Sequence, residues 1–297
     1  MKQKNRPLRR SLVLVPAHRP ELLAKAQHFD ADVLIIDLQD SVPWEEGAKA
    51  LARAQAAQFL DAGDHQAREI TLRINGPASP WIIEDVRLAV AHRTDSITVP
   101  EVVKLKDLLF VEALVDHFSQ ALGVTGPAML LEVETPGLLC DLETIATHTE
   151  RVNGLCVAPF DYALNTEAKL PLLGQPGALG DAHLSWLRPK VVAIARAHGW
   201  TATDAVMLQD PRDASLLSAA IERSRQTGFD GSAVLHPSHL PKVNAGFSPT
   251  EAELNAARQM LASATPLRQQ RALAQRLLQL KDQIDLPRPT RPATTHQ

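Results

Sequence analysis

The chain has 297 residues, of which 45% are hydrophobic, enough to bury one large core. Its 34 acidic and 31 basic residues nearly balance, with a formal net charge of -3. This composition gives no reason to expect a polyanionic partner such as nucleic acid, and it favours small-molecule partners.

The start of the chain predicts neither export nor membrane insertion. The apolar run at residues 11–17 is too short for the core of a signal peptide, and no apolar stretch approaches the length of a membrane-spanning helix. Cys140 and Cys156 have no CxxC spacing and do not suggest a disulfide framework. We therefore expect a cytoplasmic protein with no membrane role.

Short apolar or β-branched runs alternate with longer amphipathic patterns, as is typical of consecutive βα units. In the helical pattern at residues 44–60, Ala, Leu and Phe share one side, and Glu, Lys, Arg and Gln share the other. The motifs GxGxxG and GxxxxGK[ST], which an open doubly wound sheet would usually carry, are both absent. The sequence therefore predicts a closed (β/α)8 TIM barrel. Its eight strands are predicted at residues 12–16, 33–38, 70–74, 96–99, 129–134, 154–158, 202–207 and 232–235.

Beyond the barrel, predicted to occupy residues 1–250, the composition changes. Residues 251–285 are rich in Ala, Leu, Gln and Arg, which predicts a C-terminal extension with one long helix to about residue 280. Three prolines at positions 287, 289 and 292 prevent a helix from continuing, so residues 286–297 are predicted to be a disordered tail.

Polar residues stand at nearly every predicted strand end, where TIM barrels carry their reactive groups. Burying several carboxylates around one cavity requires compensation by a cation, an arginine or raised pKa values. A bound metal is the simplest answer, and a carboxylate set without HxH or HExxH favours Mg2+ or Mn2+ over zinc. The strand-end residues are Asp37, Gln39, Asp40, Arg73, Asn75, Glu101, Glu132, Glu134, Asp161, Asp204 and His236.

Ordered motifs carry a family resemblance over about residues 10–262. They include Arg10-Ser11-Leu12, Asp37-Leu38-Gln39-Asp40-Ser41-Val42, Arg73-Ile74-Asn75, Glu134-Thr135-Pro136-Gly137, Phe160-Asp161-Tyr162, Gly228-Phe229-Asp230-Gly231, His236-Pro237-Ser238 and Phe247-Ser248-Pro249-Thr250. In their order and spacing the chain resembles the citrate lyase beta-chain-like lyases, related to malyl-CoA and citramalyl-CoA lyases, of the HpcH/HpaI aldolase superfamily. Such proteins are (β/α)8 barrels, usually oligomeric, that cleave or form a carbon-carbon bond between an acyl thioester and a small 2-oxo acid.

The resemblance implies roles for individual residues. Glu134 and Asp161 would bind the metal, and Glu134 would also contact the substrate. Arg73 would grip the substrate carboxylate or a developing oxyanion, and Asp37 and Asp40 would line the same mouth as catalytic residues.

Several of these positions also have purely structural interpretations. Glu134 and Asp161 could be solvated acids or members of an ion pair, and Arg73 could bridge to Glu132 across the barrel. Asp37 or Asp40 could cap the following helix.

Several positions depart from the family pattern, among them Ala158-Pro159, which replaces a glycine before the Asp of strand six. Gln39 stands where a Glu is typical, and Glu101 and Ser232 stand where lysines are typical. The changes at Gln39 and Glu101 make the mouth about one charge unit more negative, which favours a metal and disfavours a multiply anionic ligand. Loss of two lysines also weakens the case for coenzyme A.

The predicted function is that of a Mg2+-dependent lyase of the aldol or Claisen type. It would interconvert a 3-hydroxyacyl thioester, with CoA as the expected carrier, with a 2-oxo acid and an acyl enolate. Two alternatives remain, namely a hydroxyacyl-CoA thioester hydrolase using the same metal site and a catalytically altered subunit. A homo-oligomer, trimer or hexamer, is expected from the resemblance.

Overall fold

The structure is a computed structural model that describes residues 6–169, 182–206, 214–263 and 267–289. Eight parallel strands form a closed barrel in chain order, with β8 pairing to β1. The predicted TIM barrel is thereby confirmed. The strands are β1 (Ser11–Pro16), β2 (Val33–Asp37), β3 (Glu69–Arg73), β4 (Ser96–Val99), β5 (Ala128–Val133), β6 (Val152–Val157), β7 (Thr201–Val206) and β8 (Gly231–Val234).

Helices follow the strands and cover the outside of the barrel. Prolines begin several of them, where the missing N–H costs nothing, and left-handed glycines such as Gly63 and Gly123 end others. Within the described ranges, no helix is both long enough and apolar enough to cross a membrane. The helices are α1 (Pro20–Ala26), α2 (Glu46–Ala62), α3 (Ile82–Ala91), α4 (Leu105–Leu122), α5 (Pro136–His148), α6 (Pro159–Asn165), α7 (Leu187–His198), α8 (Ala214–Thr227), α9 (Leu240–Gly246), α10 (Glu251–Ala262) and α11 (Arg268–Asp285).

The predicted strand positions hold, with ends shifted by one or two residues. The largest shift is at β6, which begins at Val152 instead of residue 154. The pairing of β5 with β6 has an irregularity between Met129 and Leu130, so that Asn153 is skipped in the register. An extra residue at a bulge interrupts the alternation of side chains between the two faces of a strand. The start of β6 therefore had no regular apolar pattern from which to predict it. Met207, the predicted end of the seventh strand, lies outside the described residues.

The prediction of one long C-terminal helix is wrong. α10 ends at Ala262, Ser263 is extended with ψ 143°, and Leu267, before α11, is extended with ψ 145°. Pro266 of the sequence has no N–H to donate and disfavours a helical residue before it, which explains the break. Packing of α11 against α10 then buries apolar side chains of both helices.

The segment after α11 is described only as far as residue 289. The side chain of Arg68 donates to the carbonyl oxygen of Leu286 at 3.0 Å. The remainder of the predicted tail, residues 290–297, lies outside the described residues. The division into a barrel, a helical extension and a disordered tail stays a prediction.

Buried ion pairs close the N-terminal end of the barrel, which we call the base. Arg9 is 1% exposed, and its guanidinium donates two hydrogen bonds of 2.8 Å to the carboxylate of Glu69. Arg10 pairs in the same forked manner with Asp32, also at 2.8 Å. Such forked pairs satisfy the donors and acceptors that burial removes from water. The opposite end, where the strands finish, is therefore where a site can open.

Candidate metal and substrate site

Arg73 and Asp37 form the centre of the candidate site. The two residues end β3 and β2 and are register partners in the sheet. Nε and Nη2 of Arg73 donate to the two carboxylate oxygens of Asp37 at 2.7 and 2.9 Å. Burial acts to raise the pKa of Asp37, but the charge of Arg73 and hydrogen bonds from Arg73, Ser41 and Gln39 outweigh it and lower the pKa to about 2. Asp37 is thus held ionised, and it fixes the plane of the guanidinium.

The third nitrogen of Arg73 is less tightly held. Nη1 lies 3.4 Å from a carboxylate oxygen of Glu132 and 3.6 Å from one of Asp40. The bridge to Glu132, one of the structural interpretations of Arg73, is therefore present. Nη1 also faces the exposed Asp40. Both of its contacts are long, so an oxygen atom of a ligand could take their place.

Glu134 follows β5 and is 4% exposed. The backbone N–H of Glu101 donates to its carboxylate, and the side chain of Asn165 donates to its backbone carbonyl at 3.1 Å. Burial first, and then the neighbouring carboxylate of Glu132, raise the pKa of Glu134. Burial likewise raises the pKa of Glu132, although Arg73 opposes it. Each buried carboxylate thus favours a proton or another positive charge beside it.

Asp161 lies in the first turn of α6, half-buried. Burial, and then the charge of Asp40, raise the pKa of Asp161, whereas Arg73 lowers it. The charge of Asp161 in turn helps to raise the pKa values of Glu132 and Glu134. The fold therefore brings the two predicted metal ligands into one electrostatic neighbourhood.

This donor set fits a hard divalent cation. The groups are carboxylate oxygens, they are partly desolvated, and their shared electrostatics favour an added positive charge. Across the described part of the chain, no group of three or more His, Cys, Asp and Glu side chains is arranged to hold a metal by itself. Mg2+ commonly binds through one or two carboxylates and completes its shell with water and substrate, so two protein ligands suffice.

Lys49 packs against the candidate site but was not predicted to do so, because its helix was predicted with lysine on the solvent side. That assignment is wrong for Lys49, which is 1% exposed in α2. Its ammonium donates at 2.7 Å to each of three oxygens and lies within 5.4 Å of two indole ring centres. Two of these oxygens are the backbone carbonyls of Leu38 and Gln39, and the third is the side-chain oxygen of Asn75. The two rings are those of Trp44 and Trp81.

Lys49 therefore fixes the chain directly after β2, where Asp37 and Asp40 lie. A signal for this was present in the spacing. Position 49 falls in step with the buried Ala52, Ala56 and Phe59, so the lysine occupies a core position of the amphipathic stripe.

Gln39 and Glu101, two departures from the family pattern, are in contact. Nε2 of Gln39 donates to Oε1 of Glu101 at 2.8 Å. Glu101 has a left-handed backbone with φ 56°, a conformation that non-glycine residues seldom adopt. Its carboxylate lies over Gly76, where an added Cβ would be 2.0 Å from Oε2 of Glu101. Sequence position alone gave no sign that these two departures meet.

Two other polar residues predicted at strand ends have structural partners. Asp204 pairs with Arg188 of α7 at 3.0 Å and accepts from Ser224 of α8, so it faces the helices. His236 bonds through Nδ1 to the Ser238 hydroxyl at 2.6 Å. Neither belongs to the group around Arg73.

We predict that Mg2+ stabilises the protein increasingly as the pH rises. The pKa of Glu134 is raised above its ordinary value of 4.5, so the folded chain holds this proton to higher pH than the unfolded chain does. Unfolding then releases a proton, and the stability of the metal-free protein falls as the pH rises above about 4.5. A cation at Glu134 replaces the proton and opposes this loss. Thermal unfolding with and without Mg2+ between about pH 5 and about pH 9 measures the difference; a Mg2+ effect that shrinks with pH would contradict the prediction.

The chain is similar in sequence to known proteins over most of its length. The model of the HpcH/HpaI aldolase/citrate lyase family matches residues 10–237. The chain is 32% identical over 256 residues to a (3S)-malyl-CoA thioesterase of Cereibacter sphaeroides, covering 86% of this chain and 82% of the relative. It is 28% identical over 269 residues to the citrate lyase subunit beta of Leuconostoc mesenteroides subsp. cremoris, covering 89% of this chain and 85% of the relative.

Solved structures share the fold. The CitE protein of Mycobacterium tuberculosis, crystallised with magnesium, acetoacetate and coenzyme A, superposes with a TM-score of 0.70 at 23% identity, covering 92% of this chain and 97% of that chain. The resemblance inferred from the sequence motifs is confirmed by the family match over most of the barrel. On this evidence the chain belongs to the HpcH/HpaI aldolase/citrate lyase family.

Proposed function

We propose that the chain is a Mg2+-dependent carbon-carbon lyase that cleaves or forms a 3-hydroxyacyl thioester, with coenzyme A as the carrier. The observation that carries the proposal is that Glu132 lies 3.4 Å from Arg73 and that the charges of Glu132 and Asp161 both raise the pKa of the buried Glu134. Magnesium and coenzyme A in crystals of the M. tuberculosis relative support the choice of cation and carrier.

Glu134 and Asp161 are the residues that would hold the cation. When bound, Mg2+ supplies Lewis-acid polarisation of the substrate's oxygens, and Mn2+ can take its place. We also assign Glu134 a contact with the substrate, because Glu132, whose charge raises the pKa of Glu134, lies 3.4 Å from the Arg73 guanidinium that would bind the substrate carboxylate.

The protein's own residues provide binding and proton transfer. Nη1 of Arg73 binds the substrate carboxylate, and Asp37 keeps the guanidinium in place from behind. Asp40 is the better base of the two aspartates, because its side chain is 59% exposed and its pKa is raised by burial, whereas the pKa of Asp37 is near 2. Asp40 accepts the hydroxyl proton, a carbonyl forms at C3, and the C2–C3 bond breaks. The electron pair of that bond passes into the thioester carbonyl as an enolate, and return of the proton from Asp40 to C2 gives the acyl thioester.

A thioester hydrolase is the second candidate, favoured by the 32% identity to the (3S)-malyl-CoA thioesterase. The same base would then deprotonate a water molecule, which attacks the thioester carbonyl and expels the thiolate. Binding of the carboxylate by Arg73 would be common to both reactions.

Product analysis with malyl-CoA and citramalyl-CoA separates these reactions. A lyase releases glyoxylate or pyruvate together with acetyl-CoA, whereas a hydrolase releases malate or citramalate together with free coenzyme A. Asp40→Asn should slow either reaction. If Mg2+ binds and neither these two thioesters nor any other hydroxyacyl substrate is turned over, the chain is the catalytically altered subunit and both proposals fail.

We also propose that the chain works in the cytoplasm as a homo-oligomer, a trimer or a hexamer. Light scattering coupled to size-exclusion chromatography measures the molar mass, and a monomer would refute this part.

A further inference from the structure

Gln39 and Glu101 form one side of the mouth, which we call the acidic wall. Gln39 follows β2 and Glu101 follows β4. The Glu101 carboxylate, which accepts from Gln39, lies over Gly76 in the loop after β3. The wall is joined to the candidate metal site, because the backbone N–H of Glu101 donates to the carboxylate of Glu134. A ligand bound at Glu134 therefore lies next to the acidic wall.

The acidic wall presents hydrogen-bond acceptors. Nε2 of Gln39 is used by Glu101, while Oε1 of Gln39 is buried and has no hydrogen-bond partner. The Gln39 amide is oriented with its NH2 group toward the Glu101 carboxylate, because a carboxylate can only accept a hydrogen bond. A buried acceptor without a partner is costly, so a donor at this position would be favoured and a second acceptor disfavoured.

The negative charge of the acidic wall likewise disfavours an anionic group of the ligand at this position. Glu101 is exposed at the mouth, where its carboxylate lies over Gly76. Arg73 is already paired with Asp37 through two of its nitrogens, which leaves Nη1 to bind a single carboxylate. A carboxylate of the ligand facing Glu101 would therefore meet a like charge in a partly desolvated site.

We infer that Gln39 and Glu101 select the substrate by charge, admitting monocarboxylic 2-oxo acids and their hydroxyacyl counterparts and excluding those with a second carboxylate. One carboxylate is bound by Arg73 and the candidate metal site. The other end of the substrate, which faces the acidic wall, carries hydrogen, alkyl or hydroxyl. This inference rests on the proposed function and narrows its substrate class.

The test compares two acids of equal carbon number, 2-oxobutanoate and oxaloacetate. The first has a methyl group where the second has a carboxylate. Calorimetric titration in the presence of Mg2+ gives the ratio of their affinities. We expect the wild type to favour 2-oxobutanoate and Glu101→Lys to shift the ratio toward oxaloacetate by about tenfold or more, since the charge changes by two units. Glu101→Gln should shift it by less.

Controls guard against effects of misfolding. The double variant Gln39→Glu/Glu101→Lys places an ion pair within the wall and changes its net charge by one unit, so it should shift the ratio about as far as Glu101→Gln does. Glu150→Lys makes the same charge change as Glu101→Lys at an exposed residue just after the C-terminal end of α5 and should leave the ratio unchanged. Retained Mg2+-dependent stabilisation in each variant shows that Glu134 is still in place.

The outcomes separate the two levels of the proposal. If the wild type binds neither acid, the proposed function fails. If it binds both and the ratio is the same in wild type, Glu101→Gln and Glu101→Lys, the proposed function stands and the charge selection by the acidic wall is overturned.

Discussion

Glu134→Gln is expected to lose Mg2+-dependent turnover by about a hundredfold or more, because a metal commonly contributes several kcal/mol to the transition state. The variant keeps the shape of the side chain and can still accept from the backbone N–H of Glu101. It loses the charge that would bind the cation. The variant should therefore fold normally while its thermal stability no longer responds to Mg2+.

Steady-state kinetics and thermal unfolding with varied Mg2+ measure both effects. Glu150→Gln is the matched control, since Glu150 is exposed and lies outside the mouth. If Glu134→Gln retained a normal Mg2+ response, Glu134 would not be a metal ligand and the site would have to be reassigned.

Arg73→Lys should lower both activity and stability. A lysine keeps the charge but cannot reproduce the two hydrogen bonds to Asp37 or reach a carboxylate with a planar fork. We expect kcat/KM to fall by about a hundredfold, and the free energy of unfolding to fall by about 3 kcal/mol, because a buried pair loses its geometry.

Arg9→Lys separates these two effects. Arg9 forms an equally buried fork with Glu69, but at the base of the barrel. This variant should lose comparable stability in denaturant titrations and keep its activity per folded molecule. If its activity falls as far as that of Arg73→Lys, the loss at Arg73 reflects the fold and not contact with substrate.

The fold could be predicted from the sequence because short apolar or β-branched runs alternate along the chain with amphipathic helical patterns. β2, for example, is buried at all five positions, and its end is marked by Asp37. The candidate site was accessible for a related reason. Parallel strands of one barrel finish at the same end, so the residues after β3 and β5 had to meet there.

Contacts between side chains of different loops were not accessible in this way. The hydrogen bond from Gln39 to Glu101 joins residues 62 positions apart, and no local pattern encodes it. The break between α10 and α11 was missed because Ala, Leu and Gln favour a helix on both sides of Pro266. The exposure of Lys49 was mispredicted because lysine is rarely buried, although its spacing was that of a core residue.

The forked pairs of Arg9 with Glu69 and of Arg10 with Asp32 have a practical consequence for protein engineering. They anchor the strands at the end remote from the loops that would contact a ligand. Randomised libraries confined to the loops after β2 and β4 should therefore yield mostly folded variants. This would make the scaffold suitable for directed evolution toward new acids.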